Sequence, residues 1–88
     1  MRKARIEEYL IPFDDTFTLS IPKNSKFLTV SNQNDYIYLI YQSYSKVLIN
    51  VSFRLVSSKE PFNESEYIYL GSFGLRNWSL RYHLLQKR

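Results

Sequence analysis

The sequence predicts an all-β domain, a small antiparallel barrel or sandwich of six to seven strands, on three observations. Apolar and polar residues alternate with a period of two in several short runs, the pattern of strands with one buried face. Turn-forming clusters, Pro22-Lys23-Asn24-Ser25, Gln33-Asn34-Asp35 and Gly74-Leu75-Arg76-Asn77, separate those runs at strand–turn–strand spacing. No stretch carries convincingly the three-to-four-residue apolar repeat that a helix needs over about 10–12 positions. The one competitor is Arg2 to Leu10, where Glu7-Glu8 would suit a helical first turn, and there the strand reading is preferred.

Taken in order, Arg5 to Ile11 is the first strand, ended by Pro12, which lacks the N–H a ladder requires. Phe13-Asp14-Asp15 turns the chain. Thr16 to Ile21 alternates, with Phe17, Leu19 and Ile21 pointing inward. The turn at Pro22 to Ser25 offers Asn24 for a left-handed position. Lys26 to Ser31 and Tyr36 to Gln42 follow as strands, the second apolar on both faces. The longest alternation lies in Lys46 to Pro61 and marks the central strand. Val47, Ile49, Val51, Phe53 and Leu55 share its core face; Leu48, Asn50, Ser52, Arg54 and Val56 share the other. Tyr67 to Phe73 is again apolar on both faces, and Gly71 within it points to a bulge or a close backbone approach. Trp78 to Leu85 closes the domain, with Ser79, Arg81 and His83 opposite its apolar side.

Eighty-eight residues make one domain, small enough that assembly into a homo-oligomer is an expected source of extra stability. With no cysteine, disulfides and thiolate metal sites are excluded. The start of the chain meets Glu7 and Glu8 before any apolar run, so no signal peptide is expected, and no apolar run is long enough to span a bilayer. A net charge of +4 favours anionic partners. Eight tyrosines suit half-buried strands first, and interfaces or nucleobase stacking second.

Catalytic chemistry needs matched groups. With one histidine, His83, on a terminal strand, no nucleophile elbow nearby and only two glycines, the sequence predicts no enzyme, no metal site and no cofactor. Glu64 and Glu66 read as solvated loop residues. The better material is basic and aromatic. Arg54 and Arg81 lie mid-strand on predicted non-core faces, Lys59 follows Ser57-Ser58, and Arg76 neighbours Trp78 in the last turn. Guanidinium groups grip phosphate through paired hydrogen bonds, and aromatic rings stack on bases. Arg54, Ser57, Ser58, Lys59, Arg76, Trp78 and Arg81 are therefore the candidate ligand-binding residues. The competing reading has each arginine snorkelling or pairing with Glu7, Glu8 or Glu66. The basic groups form no continuous stripe, so an extended nucleic-acid surface ranks below a nucleotide pocket.

One segment reads Leu19-Ser20-Ile21-Pro22-Lys23-Asn24-Ser25-Lys26-Phe27-Leu28-Thr29-Val30, followed by Gln33-Asn34-Asp35. A second reads Phe53-Arg54-Leu55-Val56-Ser57-Ser58-Lys59-Glu60-Pro61, with Tyr67 to Phe73 and the closing strand after it. Together they resemble a family of small, mostly uncharacterised proteins of tailed bacteriophages. That family reads Pro-Lys-Gly-Ala and Gln-Asn-Gly in the first segment, then Phe-x-Val-Val-Gly-Thr-Gly-His-Pro, Tyr-Ile-Gly-Thr and a closing strand with a histidine. Ser57 and Lys59 stand where the family has glycines, and Asn24 replaces its turn glycine. The resemblance implies a phage origin, an all-β fold and action in the host cytoplasm. With the basic and aromatic set, it leads to the expectation of a counter-defence binding protein, a sponge for a cyclic or modified nucleotide immune signal. An inhibitor docking on a host protein and a virion accessory protein are the alternatives. No membrane partner is expected.

Overall fold

The computed structural model describes residues 3–77 and 79–88. Seven strands form: β1 (Arg5–Leu10), β2 (Thr16–Pro22), β3 (Lys26–Gln33), β4 (Tyr36–Ser43), β5 (Leu48–Ser57), β6 (Tyr67–Leu75) and β7 (Leu80–Lys87). They make two antiparallel sheets that pack as an open sandwich and do not close into a barrel. Sheet A has the order β1-β4-β3, and sheet B has the order β2-β5-β7-β6. Segment 5–10 is strand, with Arg5 to Leu10 running against Ser43 to Tyr38. Among the described residues, no helix is long and apolar enough to cross a membrane.

Local chemistry sets the turns. Asn24 and Asn34 sit at φ 60° and 55°, the left-handed region where asparagine is enriched. Asn34 closes the β3–β4 hairpin, whereas Asn24 turns the chain from sheet B into sheet A. Arg76 and Asn77, also left-handed, close the β6–β7 hairpin.

The core lies between the sheets. Ile37, Leu39 and Tyr41 of β4 meet Phe17, Ile21, Phe53, Leu55, Phe73 and Leu84 of sheet B. Phe53 stacks on Phe17 with ring centroids 5.2 Å apart. The Tyr41 hydroxyl crosses the layers and donates to Gln86 Oε1 at 3.3 Å. Burial, with a smaller contribution from Tyr9, pushes its pKa up to about 12, so it remains a donor through the physiological range.

β5 is an interior strand of sheet B, as its long alternation predicts, but only half of its predicted core face is in the core. Phe53 and Leu55 are buried and Val51 is partly so, whereas Val47 and Ile49 are 62% and 44% exposed. The reason is register. β2 pairs with β5 from Leu48 to Arg54, while β7 reaches only Phe53 to Ser57, so the first half of β5 extends past β7. Hydrogen bonds between Thr18 and Ser52 and between Ser20 and Asn50 hold the polar side of that extension.

At Gly71, where the sequence predicts a bulge or a close approach, the structure has both. The register slips between Tyr69 and Gly71, a bulge at Leu70. A Cβ on Gly71 would lie 3.2 Å from Val30 Cγ2 of the facing sheet. Gly71→Val should therefore destabilise the domain by about 1–3 kcal/mol through overpacking. Urea unfolding should show a lowered midpoint at unchanged slope, and an unchanged midpoint would refute the close approach.

Candidate ligand-binding site

Directly paired residues of adjacent strands share a face. On the outer side of sheet B, Arg54 of β5 therefore lies beside Leu85 of β7 and Tyr69 of β6. Val56, His83 and Ser72 form the next row. Val56 and Leu85 are buried at 3% and 0% exposure, yet neither belongs to the inter-sheet core. They form a satellite apolar cluster beside the long β5–β6 connection, 58–66, which folds back on this face.

Charge and backbone chemistry hold the loop. Arg54 Nη2 donates to Glu60 Oε2 at 3.0 Å and to the Pro61 carbonyl at 3.5 Å, and its guanidinium sits 5.8 Å from the Tyr67 ring centroid. The Ser57 amide donates to Glu60 Oε1 at 3.3 Å, and the Glu60 amide returns a bond to the Ser57 carbonyl at 3.1 Å. Lys59 takes φ 74° within this turn, a conformation that a glycine adopts freely.

The Ser57 amide, and after it the Arg54 guanidinium, hold the Glu60 carboxyl below the usual glutamate range. A depressed folded-state pKa means that this contact contributes fully above the ordinary glutamate value of about 4.3 and is lost as pH falls through the lower folded value. We expect the Ser57 amide resonance to titrate with a midpoint below about 4.3 in a heteronuclear NMR series. In Glu60→Gln that transition should vanish; its persistence would assign it to another carboxyl.

Beyond the clamp lies a row of polar atoms. Ser58 Oγ is 3.1 Å from His83 Nε2, and the Tyr69 hydroxyl is 3.0 Å from His83 Nδ1. Both imidazole nitrogens are thus held by hydroxyls that can donate or accept. A serine bonded to an oriented imidazole is one part of a nucleophilic site. Acyl transfer also requires amide donors aimed at an oxyanion. Two amides of this turn, those of Ser57 and Glu60, are already bound as described.

The groups border two adjoining clefts. One, of about 280 Å³, lies among Ser58, Lys59, Phe62, Tyr69 and His83. The other, of about 480 Å³, shares the Phe62–Tyr69 wall and extends to Tyr67 and Arg88. Three aromatic side chains thus stand between a lysine and an arginine, with Glu60 also lining the first cleft and Glu64 the second.

Of the predicted residues, Arg54, Ser57, Ser58 and Lys59 come together here. Arg54 serves the loop through Glu60, a partner that the acids considered from sequence did not include. Arg81 shares the outer face with Arg54, but lies opposite Gly74, four residues along β7 from Leu85. Arg76 is elsewhere, at a cleft of about 430 Å³ between the two hairpin turns. There the Asn32 side-chain oxygen accepts from the Gly74 amide at 2.8 Å, and Asp35 Oδ1 accepts from the Arg76 amide at 3.0 Å. Those polar groups lock the turns together. Trp78 lies outside the described residues. Glu60, Phe62, Tyr67, Tyr69, His83 and Arg88 are not among the seven residues singled out from the sequence. The i, i+2 spacing of Tyr67 and Tyr69, and His83 on the same side as Arg81, were the available signals. Among the described residues, no group of three histidine or acidic side chains is placed to hold a metal ion.

A family model described as "Domain of unknown function (DUF7352)" matches residues 2–88. No curated protein and no solved structure matches the chain.

Proposed function

We propose that this chain, which belongs to the DUF7352 family, is a non-enzymatic binding protein for a nucleotide, held on the outer face of sheet B. The observation that carries this reading is the wall of Phe62, Tyr67 and Tyr69 with Lys59 at one side and Arg88 at the other. A base stacks on the aromatic wall, a contact that contributes about 1–3 kcal/mol per base. Lys59 and Arg88 neutralise phosphates, consistent with the net charge of +4. The Ser58 and Tyr69 hydroxyls, held in place by His83, use their remaining hydrogen-bonding capacity on the sugar or base edge. Arg54 is the clamp that holds the loop in place rather than the phosphate grip.

The resemblance to small phage proteins extends this reading to a biological role: sequestering a cyclic or otherwise modified nucleotide immune signal in the host cytoplasm. Isothermal titration calorimetry against cyclic di- and trinucleotides and adenosine-ribose signals tests it. We expect saturable heat with at least one member, weakened by raised salt because phosphate contacts are screened. Absence of heat across the whole panel would refute the nucleotide reading.

A further inference from the structure

We infer that the outer face of sheet A binds a second copy of this chain, forming a two-fold symmetric dimer. One end of sheet B's outer face is covered by the chain's own loop. Sheet A's outer face instead presents Ile6, Leu10 and Tyr36 at 61%, 50% and 61% exposure. A bulge between Phe27 and Thr29 adds Leu28, 40% exposed, on the same side. Half-buried Ile40 and Tyr38 of β4 run through the centre. A concentration of apolar side chains on one sheet face marks an interaction surface.

The charges on this face indicate what it meets. Residues paired across the sheet share a row: Ile6, Gln42 and Lys26 in one, and Glu8, Ile40 and Thr29 in the next. Glu8 is thus on one edge strand and Lys26 on the other, in adjacent rows, with β4 between them. Rotation by 180° about an axis along β4 exchanges the positions of β1 and β3. In a face-to-face dimer, Glu8 then lies about one row, or roughly 7 Å along the strand, from the partner's Lys26. Both side chains are long enough to meet across the ~10 Å separation of packed sheets. The same pair forms twice by symmetry. A self-complementary charge arrangement around an apolar centre is what an isologous interface requires.

The area is adequate. Three strands about 4.8 Å apart, six residues long in β1 and eight in β4 and β3, cover roughly 360 Å² in projection. Side-chain relief raises the accessible area above that footprint, toward the ~800 Å² per partner of a standard interface. The aligned packing of two such sheets is the geometry of ordinary β-sandwich cores.

Light scattering on the full chain should give twice its 10.6 kDa mass. Glu8→Lys and Lys26→Glu should each weaken dimerisation about tenfold, and the double exchange should restore it. Leu10→Asp should yield monomer. Circular dichroism should stay unchanged in all four variants, since these side chains are exposed. Should Leu10→Asp prevent folding, the charge exchange still decides. A wild-type monomer at every soluble concentration overturns the proposal, even if it binds another protein. So does a dimer indifferent to Leu10→Asp, or one that the double exchange fails to rescue.

Discussion

Phe53→Ala should lower the melting temperature by roughly 12–40 °C or leave the chain unfolded. Phe53 is 2% exposed at the centre of the inter-sheet core and stacks on Phe17. Truncating a buried phenylalanine costs about 3–5 kcal/mol, the lost transfer energy plus a cavity that rigid neighbours fill only in part. Here the neighbours belong to two sheets, each fixed by its own ladder, so collapse into the void is limited. For a domain of this length each kcal/mol moves the melting temperature by about 4–8 °C. Total stabilities are only about 5–15 kcal/mol, so one substitution removes a large share. The matched control is Val47→Ala, on the same alternating face of the same segment but 62% exposed. It should stay within about 0.5 kcal/mol of the parent. Thermal unfolding followed by circular dichroism checks both. Equal losses in the two variants would show that the core does extend along the whole alternation.

If the proposed nucleotide site is correct, Tyr69→Ala should weaken nucleotide binding by about ten- to a hundredfold, the affinity equivalent of one lost base stack. Tyr69 is 53% exposed, so the substitution leaves the core intact. Its ring forms part of the wall shared by the two clefts, while its hydroxyl holds His83. Tyr69→Phe separates these roles. It keeps the stacking face and removes one hydrogen bond, a net contribution of about 0.5–1.5 kcal/mol, so affinity should fall about two- to tenfold. Calorimetry on the parent and both variants gives the order parent, Tyr69→Phe, Tyr69→Ala. If the two variants lose affinity equally, the ring does not stack and the hydroxyl row alone holds the ligand.

The candidate site is only partly legible in the sequence, for a physical reason seen in its members. Arg54 could be placed on the outer face because alternation from Phe53 requires it. That it would be committed to Glu60 depends on how the loop after Ser57 folds back, which no periodicity encodes. His83 read as an ordinary strand residue. Its importance comes from Ser58 and Tyr69, which are 25 and 14 residues away and meet it only through the register of three strands. Arg76 looked like a companion of Arg54 because both are basic and predicted near a turn or a face. Topology puts it at the hairpin turns, beside Asp35.

By itself, the amino-acid sequence determined an all-β domain of six to seven short strands, the turns at Asn24 and Asn34, and a bulge or close approach at Gly71. Each is local: side chains alternate along any extended backbone, asparagine tolerates positive φ, and a glycine admits a close neighbour. Only the tertiary structure decided that the strands divide into three and four, that the sandwich stays open, and that Val47 and Ile49 lie outside the core. Those outcomes rest on pairings such as Thr16 with Arg54 and Arg5 with Ser43. A pattern of period two says that a strand has two faces. What each face meets is set by the strands and loops that long-range pairing brings against it, and that is what turned the Arg54 side of β5 into a clamped, aromatic-walled cleft.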